Sequence, residues 1–436
     1  MRPRTLAIVS VLAVLALLLG EPAIALTGAS GVDQGAILAY FQPTGTGPTG
    51  VLQGLHKMSF LANASYPGTP GWIQSNLNGF GSPQNTIVAA LAPFGDSIYA
   101  GTYNPSGTGA QLWRKSAEGG WVAVVTDGFG DPVNNWGVNH LMEFKGRLYA
   151  STWRWTSRPS GGQIWRSDDG LSWSQVVSQG FGDPTNGEIF RFAVFNDALY
   201  ASTTSYTTTH GAEIWRSRTG DVGDWERVVA SGFGNAQSIA VVSFATFGDL
   251  LYAGTWNGTS GGRVWRTVNG ETWTPVSAPG LGDSRSFVVS ALAAYQGFLY
   301  ASVGHWSTPW DFDAMDGIQI WRCQACDGSD WDRVVDLAFW PERTGEQSAL
   351  QVLQDHLYLV VGNRASGLQV WRTADGLRWQ QIGFAGFGDR HNTQPRWGNS
   401  VTAFAGSLYV GTENLVSGGE VWQYLPNASY LPLIRR

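Results

Sequence analysis

The sequence predicts an all-β protein, a seven-bladed β-propeller of four-stranded blades, and three observations carry that expectation. A hydrophobic residue followed by tyrosine returns at Tyr99, Tyr149, Tyr200, Tyr252, Tyr300, Tyr358 and Tyr409. An apolar residue followed by tryptophan comes after each of them, at Trp113, Trp165, Trp215, Trp265, Trp321, Trp371 and Trp422. The period is about 50 residues, in the range of propeller blades and solenoids. The local composition then chooses between these, with short β-branched and aromatic runs between Gly, Asn and Asp turns and no helical period. A four-stranded unit that cannot bury both faces alone is a propeller blade.

The chain opens with Arg2 and Arg4, an apolar run from Leu6 to Leu19, and Pro22-Ala23-Ile24-Ala25. That order reads as a secretory signal over residues 1–25, cleaved after Ala25, with an uncleaved anchor as the alternative. The apolar run is short for a span of about 20 residues. Residues 26–71 are rich in Gly, Thr, Ser and Pro and read as an irregular leader. The propeller occupies 72–424, and 425–436 form a short tail resembling the apolar-basic tails of some exported bacterial proteins.

Within a unit the strands are named a to d in order. In the second, strand a is expected near Val138 to Phe144 and strand b near Leu148 to Thr152. Strand c follows near Gln163 to Ser167, and strand d near Trp173 to Val177. Lys145-Gly146 and Asp168-Asp169-Gly170 supply tight turns between a and b and between c and d. A strand-d tryptophan follows strand c at positions 121, 173, 225, 273, 331 and 379, while the last unit stops after Trp422. The missing strand is the one at Trp72, so an N-terminal strand completes the last blade, closes the ring and leaves no free edge there.

With 27 Lys and Arg against 33 Asp and Glu, the net charge of −6 gives no electrostatic footprint for nucleic acid. The mature chain is read as secreted or at the cell surface, monomeric and free of the membrane once the signal is cleaved. Asn63, Asn257 and Asn427 begin glycosylation triplets. Cys323 and Cys326, in the fifth c-to-d turn, are expected to form a disulfide in an exported protein.

The turns Ser167-Asp168-Asp169-Gly170-Leu171-Ser172-Trp173, Thr373 to Trp379 and Thr267 to Trp273 resemble the Asp-box (BNR) hairpins of sialidases and other secreted propellers. The resemblance implies that Ser/Thr and Asp side chains tie the hairpin while Trp packs between sheets. These copies are one residue shorter than the usual box, and Lys115-Ser116-Ala117-Glu118 departs from it. Such turns lie opposite the active site in that family, so the resemblance concerns architecture. Sialidase chemistry requires an arginine triad, a Tyr-Glu nucleophile pair and an acidic general acid. The nearest run here is Phe190-Arg191-Phe192, without the proline that usually follows, and the catalytic motifs are not matched.

Function is expected where the copies differ. Of the 22 tryptophans, 14 sit at repeated positions as spacers between sheets. The other eight, Trp136, Trp153, Trp155, Trp256, Trp306, Trp310, Trp340 and Trp397, fall in or beside d-to-a and b-to-c connections, which share one face. With Arg154, Tyr206 and His305 they suit sugar rings, or a protein hot spot. His210, His391, Arg158, Arg396, Asn134 and Asn135 lie in the same connections. The alternative is that these tryptophans pack on each other to order long loops. Asp311, Asp313 and Asp316, before Gly317, offer oxygens for calcium, the one cofactor candidate; solvated loop acids are the competing reading. The Asp131, Asp183, Asp283 and Asp389 series ends a repeated Gly-Phe/Leu-Gly-Asp motif and is read as structural. Glu188, Asp313 and Glu413 are unrepeated acids able to supply a glycosidase pair. The first reading is therefore a non-enzymatic binding propeller for carbohydrate or an extracellular protein. The second is a sialidase-like glycoside hydrolase or lyase, and the third a structural surface module.

Overall fold

In the computed structural model the chain divides into Met1–Ala64 and Ser65–Arg436. The described residues, 71–154, 160–205, 209–307, 315–336, 344–395 and 400–426, all lie in the second unit. The expected signal, most of the irregular leader and the end of the tail are outside them, as are Asn63 and Asn427.

The described residues are almost entirely strand and turn. β1 (Trp72–Gln74) precedes the first complete sheet, β2 (Ile87–Phe94), β3 (Ser97–Tyr103), β4 (Leu112–Ser116) and β5 (Val122–Val125). The second sheet holds β6 (Gly137–Phe144), β7 (Arg147–Trp153), β8 (Ile164–Ser167) and β9 (Ser174–Val177). The third holds β10 (Asn186–Phe195), β11 (Ala198–Ser205), β12 (Ile214–Ser217) and β13 (Glu226–Val229). The fourth holds β14 (Ser238–Phe247), β15 (Leu250–Asn257), β16 (Val264–Thr267) and β17 (Thr274–Pro275). The fifth holds β18 (Ser286–Tyr295), β19 (Phe298–Trp306), β20 (Met315–Cys323) and β21 (Asp332–Val335). The sixth holds β22 (Thr344–Leu353), β23 (His356–Asn363), β24 (Gln369–Thr373) and β25 (Gln380–Gln381). Last come β26 (Val401–Phe404), β27 (Ser407–Gly411) and β28 (Val421–Tyr424), with β1 beside β28. The Trp72 strand pairs antiparallel with β28, Trp72 opposite Tyr424 and Gln74 opposite Trp422.

Successive sheets are tied where one second strand ends and the next first strand begins. Tyr103 pairs with Gly137, Trp153 with Glu188, Thr204 with Ala240, and Trp256 with Val288. Glu413 makes the same kind of bridge to Ile87, linking the seventh sheet to the first. The first strands also touch in series from β2 through β6, β10, β14, β18, β22 and β26, which returns to β2. Buried apolar clusters lie between consecutive sheets, and one joins Val88, Leu91, Ile98 and Ala100 to Tyr409 and Val421. Each fully buried Val, Leu or Ile there contributes about 1.5–3 kcal/mol.

The repeated residues have assignable jobs. Each repeated tyrosine is 1% exposed or less, and Tyr99, Tyr149, Tyr200 and Tyr300 reach the c-to-d turn of the next sheet. A Cβ at Gly170, where φ is +73°, would lie 2.0 Å from the Tyr99 hydroxyl, so both conformation and space demand glycine. In the same turn the Ser167 Oγ accepts the Gly170 N–H (2.8 Å), and Asp169 accepts those of Leu171 and Ser172 (2.8 Å each). Thr267 with Asn269, and Thr373 with Asp375, repeat the pattern. The Phe of each Gly-Phe-Gly turn adopts a left-handed backbone, φ 65° at Phe181, that bulky residues avoid. It is held by stacking on the next strand-c tryptophan: Phe181 on Trp215 at 4.4 Å, Phe233 on Trp265 at 4.4 Å, Phe387 on Trp422 at 4.5 Å.

Cys323 and Cys326 are joined by a disulfide. They occupy the places of Ser217 and Gly220 in the third sheet, whose Oγ-to-N–H hydrogen bond (2.7 Å) the covalent bond replaces. Asp330 and Asp224 close the two turns alike from further along the chain. The Asn257 triplet is corrected: the residue is 1% exposed and its Oδ1 accepts the N–H of Thr259 and Ser260. A glycan has no room there.

Candidate functional site

The face carrying the d-to-a and b-to-c connections is where the repeat breaks. In the first, fourth, sixth and seventh sheets an asparagine stands at or just beyond the end of strand b, and its Oδ1 caps the turn that follows: Asn104, Asn257, Asn363 and Asn414. The corresponding positions in the second, third and fifth sheets are Arg154, Ser205 and His305. Those sheets carry the distinctive b-to-c connections of the sequence.

Three of the expected aromatic platforms are corrected. Trp153, Trp256 and Trp306 are 2%, 4% and 2% exposed, so their faces are not open to a ligand. Strand pairing draws them inward: Trp153 bridges to Glu188 and stacks on Tyr103 at 4.6 Å. Trp256 and Trp306 stack on each other at 6.0 Å within a cluster holding Phe190, Val242 and Phe287. Trp136 differs, being half-buried with the Arg154 guanidinium 5.1 Å above its ring. Arg154 donates to Asn134 Oδ1 (3.1 Å), and Asn134 donates to Asp131 (3.1 Å), so that the guanidinium is oriented by a chain of bonds. Trp155, Tyr206, Trp310 and Trp397 lie outside the described residues, as do Trp340, Arg158, Arg396, Asp311 and Asp313. Asp316 is turned to His305: its Oδ2 lies 3.0 Å from Nδ1, and Asp283 lies 3.1 Å from Nε2. His305 itself is 1% exposed. It ties the d-to-a connection to strands b and c, and its burial corrects its expected place at an open surface. Among the described residues no group of three or more His, Cys, Asp or Glu is placed to hold a metal ion.

A polar interior lies beside these aromatics. Asn139 donates to Glu188 (3.3 Å), and both are fully buried. His140 is held down to about 3 by burial, with the Arg191 charge adding to the effect. Its Nδ1 accepts the Phe192 N–H at 2.9 Å, so the neutral ring carries its proton on Nε2. Burial also pulls the Arg191 guanidinium down while Glu188 opposes it. Arg191 is 8% exposed and stacks over Phe190 at 4.3 Å, so Phe190-Arg191-Phe192 presents no open guanidinium. Tyr103 is pushed up to about 12 by burial, with Glu188 and Glu413 contributing. One phenol thus feels two buried carboxylates from different sheets.

A pocket of about 290 Å³ opens on this face between the sixth and seventh sheets. Its lining includes Arg364, Arg390, His391, Thr393, Gln394 and Glu413, with Leu415 and Val416 at its edge. His391 and Glu413 stand out in the sequence as unrepeated polar residues. Tyr103, Arg364, Arg390 and Gln394 were not picked out by sequence reasoning. Arg364 directly follows a turn-capping asparagine, and Arg390 directly follows a Gly-Phe-Gly-Asp motif, so regular turns conceal both.

No family model matches the chain, and no curated protein matches it. Among solved structures it is similar to an ancestral GH74 enzyme (13% identity, TM-score 0.51), covering 79% of this chain and 48% of that one. It is also similar to the WD40 β-propeller domain of Doa1 (14% identity, TM-score 0.49), covering 82% and 98%. A third is a PL25 ulvan lyase bound to -[GlcA(1-4)Rha3S]- (11% identity, TM-score 0.49), covering 81% and 94%. The chain spans less than half the length of the GH74 enzyme and of a prolyl endopeptidase, 48% and 41%. Identities this low speak to fold alone: the architecture is all-β and propeller-like. No helix among the described residues is long and apolar enough to cross a membrane.

Proposed function

We propose that this chain is an exported seven-bladed β-propeller, its ring closed by β1, that recognises carbohydrate through its d-to-a and b-to-c face. The observation that carries this reading is the Trp136–Arg154 pair. A half-buried indole lies under a guanidinium oriented by Asn134 and Asp131, on the face where the copies diverge. Such a pair offers a guanidinium held over an indole, with oriented donors for sugar hydroxyls. A glycan array probed with the mature protein tests it, with Trp136→Ala/Arg154→Ala as control. Loss of signal in the variant is the expected result. An array without signal, or signal unchanged by the substitutions, overturns the reading.

One observation favours a second reading, a glycoside hydrolase or lyase on the same fold: Glu188 bridges Trp153, which stacks on Tyr103, and Glu413 bridges Ile87, the cross-strand partner of Tyr103. Paired carboxylates are the machinery of glycoside hydrolysis. Incubating the glycans bound on the array with the wild-type protein and with Glu188→Gln and Glu413→Gln decides between binder and enzyme. Cleavage lost in both variants establishes the enzyme, and intact glycans leave the binder.

A further inference from the structure

We infer that the pocket between the sixth and seventh sheets binds an acidic sugar residue, one carrying a carboxylate or a sulfate ester beside free hydroxyls. The inference rests on the carbohydrate reading and adds a separate site to the Trp136–Arg154 pair. Its volume, about 290 Å³, is at the small end of ligand sites, the size class of a compact polar unit.

Three features specify the chemistry. The first is a buried acceptor that lacks a donor. Gln394 is 6% exposed, and its Nε2 donates to Ser400 Oγ at 3.0 Å. Its Oε1 is buried with no hydrogen-bond partner among the described residues. A buried amide oxygen left without a donor costs about 1–3 kcal/mol, and a ligand hydroxyl entering the pocket relieves that cost. The second is the placement of basic groups. Arg390 and His391 are exposed at the lining, and Arg364 stands across from them on the sixth sheet's b-to-c turn. The Asn363 Oδ1 fixes that turn by accepting the N–H groups of Ala365 (2.8 Å) and Ser366 (3.0 Å).

Asp389, the residue before Arg390, is engaged within the fold. Asp389 Oδ1 accepts the His391 backbone N–H (2.9 Å) and lies 2.9 Å from Nδ1, and Oδ2 accepts from Asn414 (3.0 Å). Burial works against its ionisation, but these hydrogen bonds outweigh it and hold its carboxyl below the usual range. Asp389 thereby fixes the imidazole and leaves Nε2 for a ligand. The third feature is the opposite sign of charge deeper in. Glu413 is 4% exposed, its backbone is paired with Thr393 at 2.8 Å in both directions, and its charge is felt at Tyr103. An exposed basic edge over a buried carboxylate and an amide oxygen matches a ligand with an anion at one end and hydroxyl donors at the other. A neutral sugar leaves the basic edge unused, and a bare inorganic anion leaves Gln394 unsatisfied.

Titration calorimetry on the full mature chain tests this with three probes: oligogalacturonate for carboxylate, a sulfated galactan oligosaccharide for sulfate ester, and a neutral cello-oligosaccharide. The expected result is binding of one or both acidic probes that weakens as salt rises from about 20 to about 200 mM. Arg390→Ala/His391→Ala is expected to cut that affinity at least about tenfold, and Gln394→Met to cut it while leaving the salt dependence in place. Arg390→Lys restores part of the loss, and unchanged melting temperatures show that the variants fold. Saccharide binding that ignores these substitutions, or prefers the neutral probe, overturns the pocket and leaves the carbohydrate reading standing. Failure to bind any saccharide, on the array or in solution, overturns both.

Discussion

Among the side chains that make stability depend on acidity, Asp169 and His140 act in different pH windows. Asp169 is held down to about 2, chiefly by the backbone N–H groups of Ser172 and Leu171, from an ordinary value of 3.8. A carboxyl whose folded value is depressed adds stability above its unfolded value, and this is lost as pH falls from about 4 towards 2. His140 is depressed from 6.5 to about 3 by burial, so the unfolded chain takes up a proton that the folded one refuses. That loss starts earlier, as pH falls below about 6.5, and levels off near 3. Denaturant titrations between pH 7 and pH 2 separate the two effects. His140→Gln is expected to flatten the slope between pH 6.5 and 4. Asp169→Asn is expected to act only below pH 4, and the turn should survive because Asn269 accepts the same two N–H bonds with a neutral amide. Identical slopes in wild type and both variants would contradict the assignment.

The Gly-Phe-Gly turn works as a wedge between neighbouring sheets. Phe181 pays for its left-handed backbone with contacts to Trp215 (4.4 Å, 3° between planes) and Trp225 (5.5 Å, 59°). Truncating it should cost about 2–4 kcal/mol, toward the lower end for a side chain that is not fully buried. Phe181→Leu should cost less than about 1.5 kcal/mol, because Leu281 fills the equivalent place in the fifth sheet within the same kind of turn. Chemical denaturation of the two variants checks both values, and an equal cost for Leu and Ala would refute the wedge. Repetition made this element legible from sequence, since a residue present in most copies is being selected by packing geometry. The b-to-c connections were legible as the place of divergence but not in their detail. Trp153, Trp256 and Trp306 look from sequence like surface aromatics, yet bridging pairs such as Trp153 to Glu188 draw strand ends under the neighbouring sheet. That is a contact between units, which the internal pattern of one unit does not encode. Gln394 was hidden for the opposite reason: its interest lies in an oxygen that lacks a bond, and no sequence pattern marks an absence.

At the scale of the whole molecule, β1 and β26–β28 form one sheet from strands far apart in the chain, and that sheet packs on the first. The join between β26–β28 and the first sheet rests on the Glu413–Ile87 bridge, the Val88 N–H bond to Thr412 (2.9 Å), the Asn414 N–H bond to Thr86 (2.8 Å), and the cluster around Tyr409 and Leu91. β1 reinforces it by giving the seventh sheet its outer strand from the other end of the chain. Trp72 is 3% exposed and packs against Phe387 (4.8 Å) and Tyr424 (5.0 Å), and the N–H of Val421 reaches Asn76 Oδ1 (2.6 Å). Removing residues 72–76 deletes these contacts and exposes β28 as an edge, a template for pairing between chains. Trp72→Ala removes the packing but keeps the backbone ladder, at about 3–5 kcal/mol. The deletion should therefore aggregate or unfold in more than one step, whereas the point variant should stay monomeric and unfold cooperatively at lower denaturant. Size-exclusion chromatography and denaturation followed by tryptophan fluorescence separate these behaviours. If the deleted chain stays monomeric and melts like wild type, the join is held by the first strands alone, and the N-terminal strand is a covering rather than a clasp.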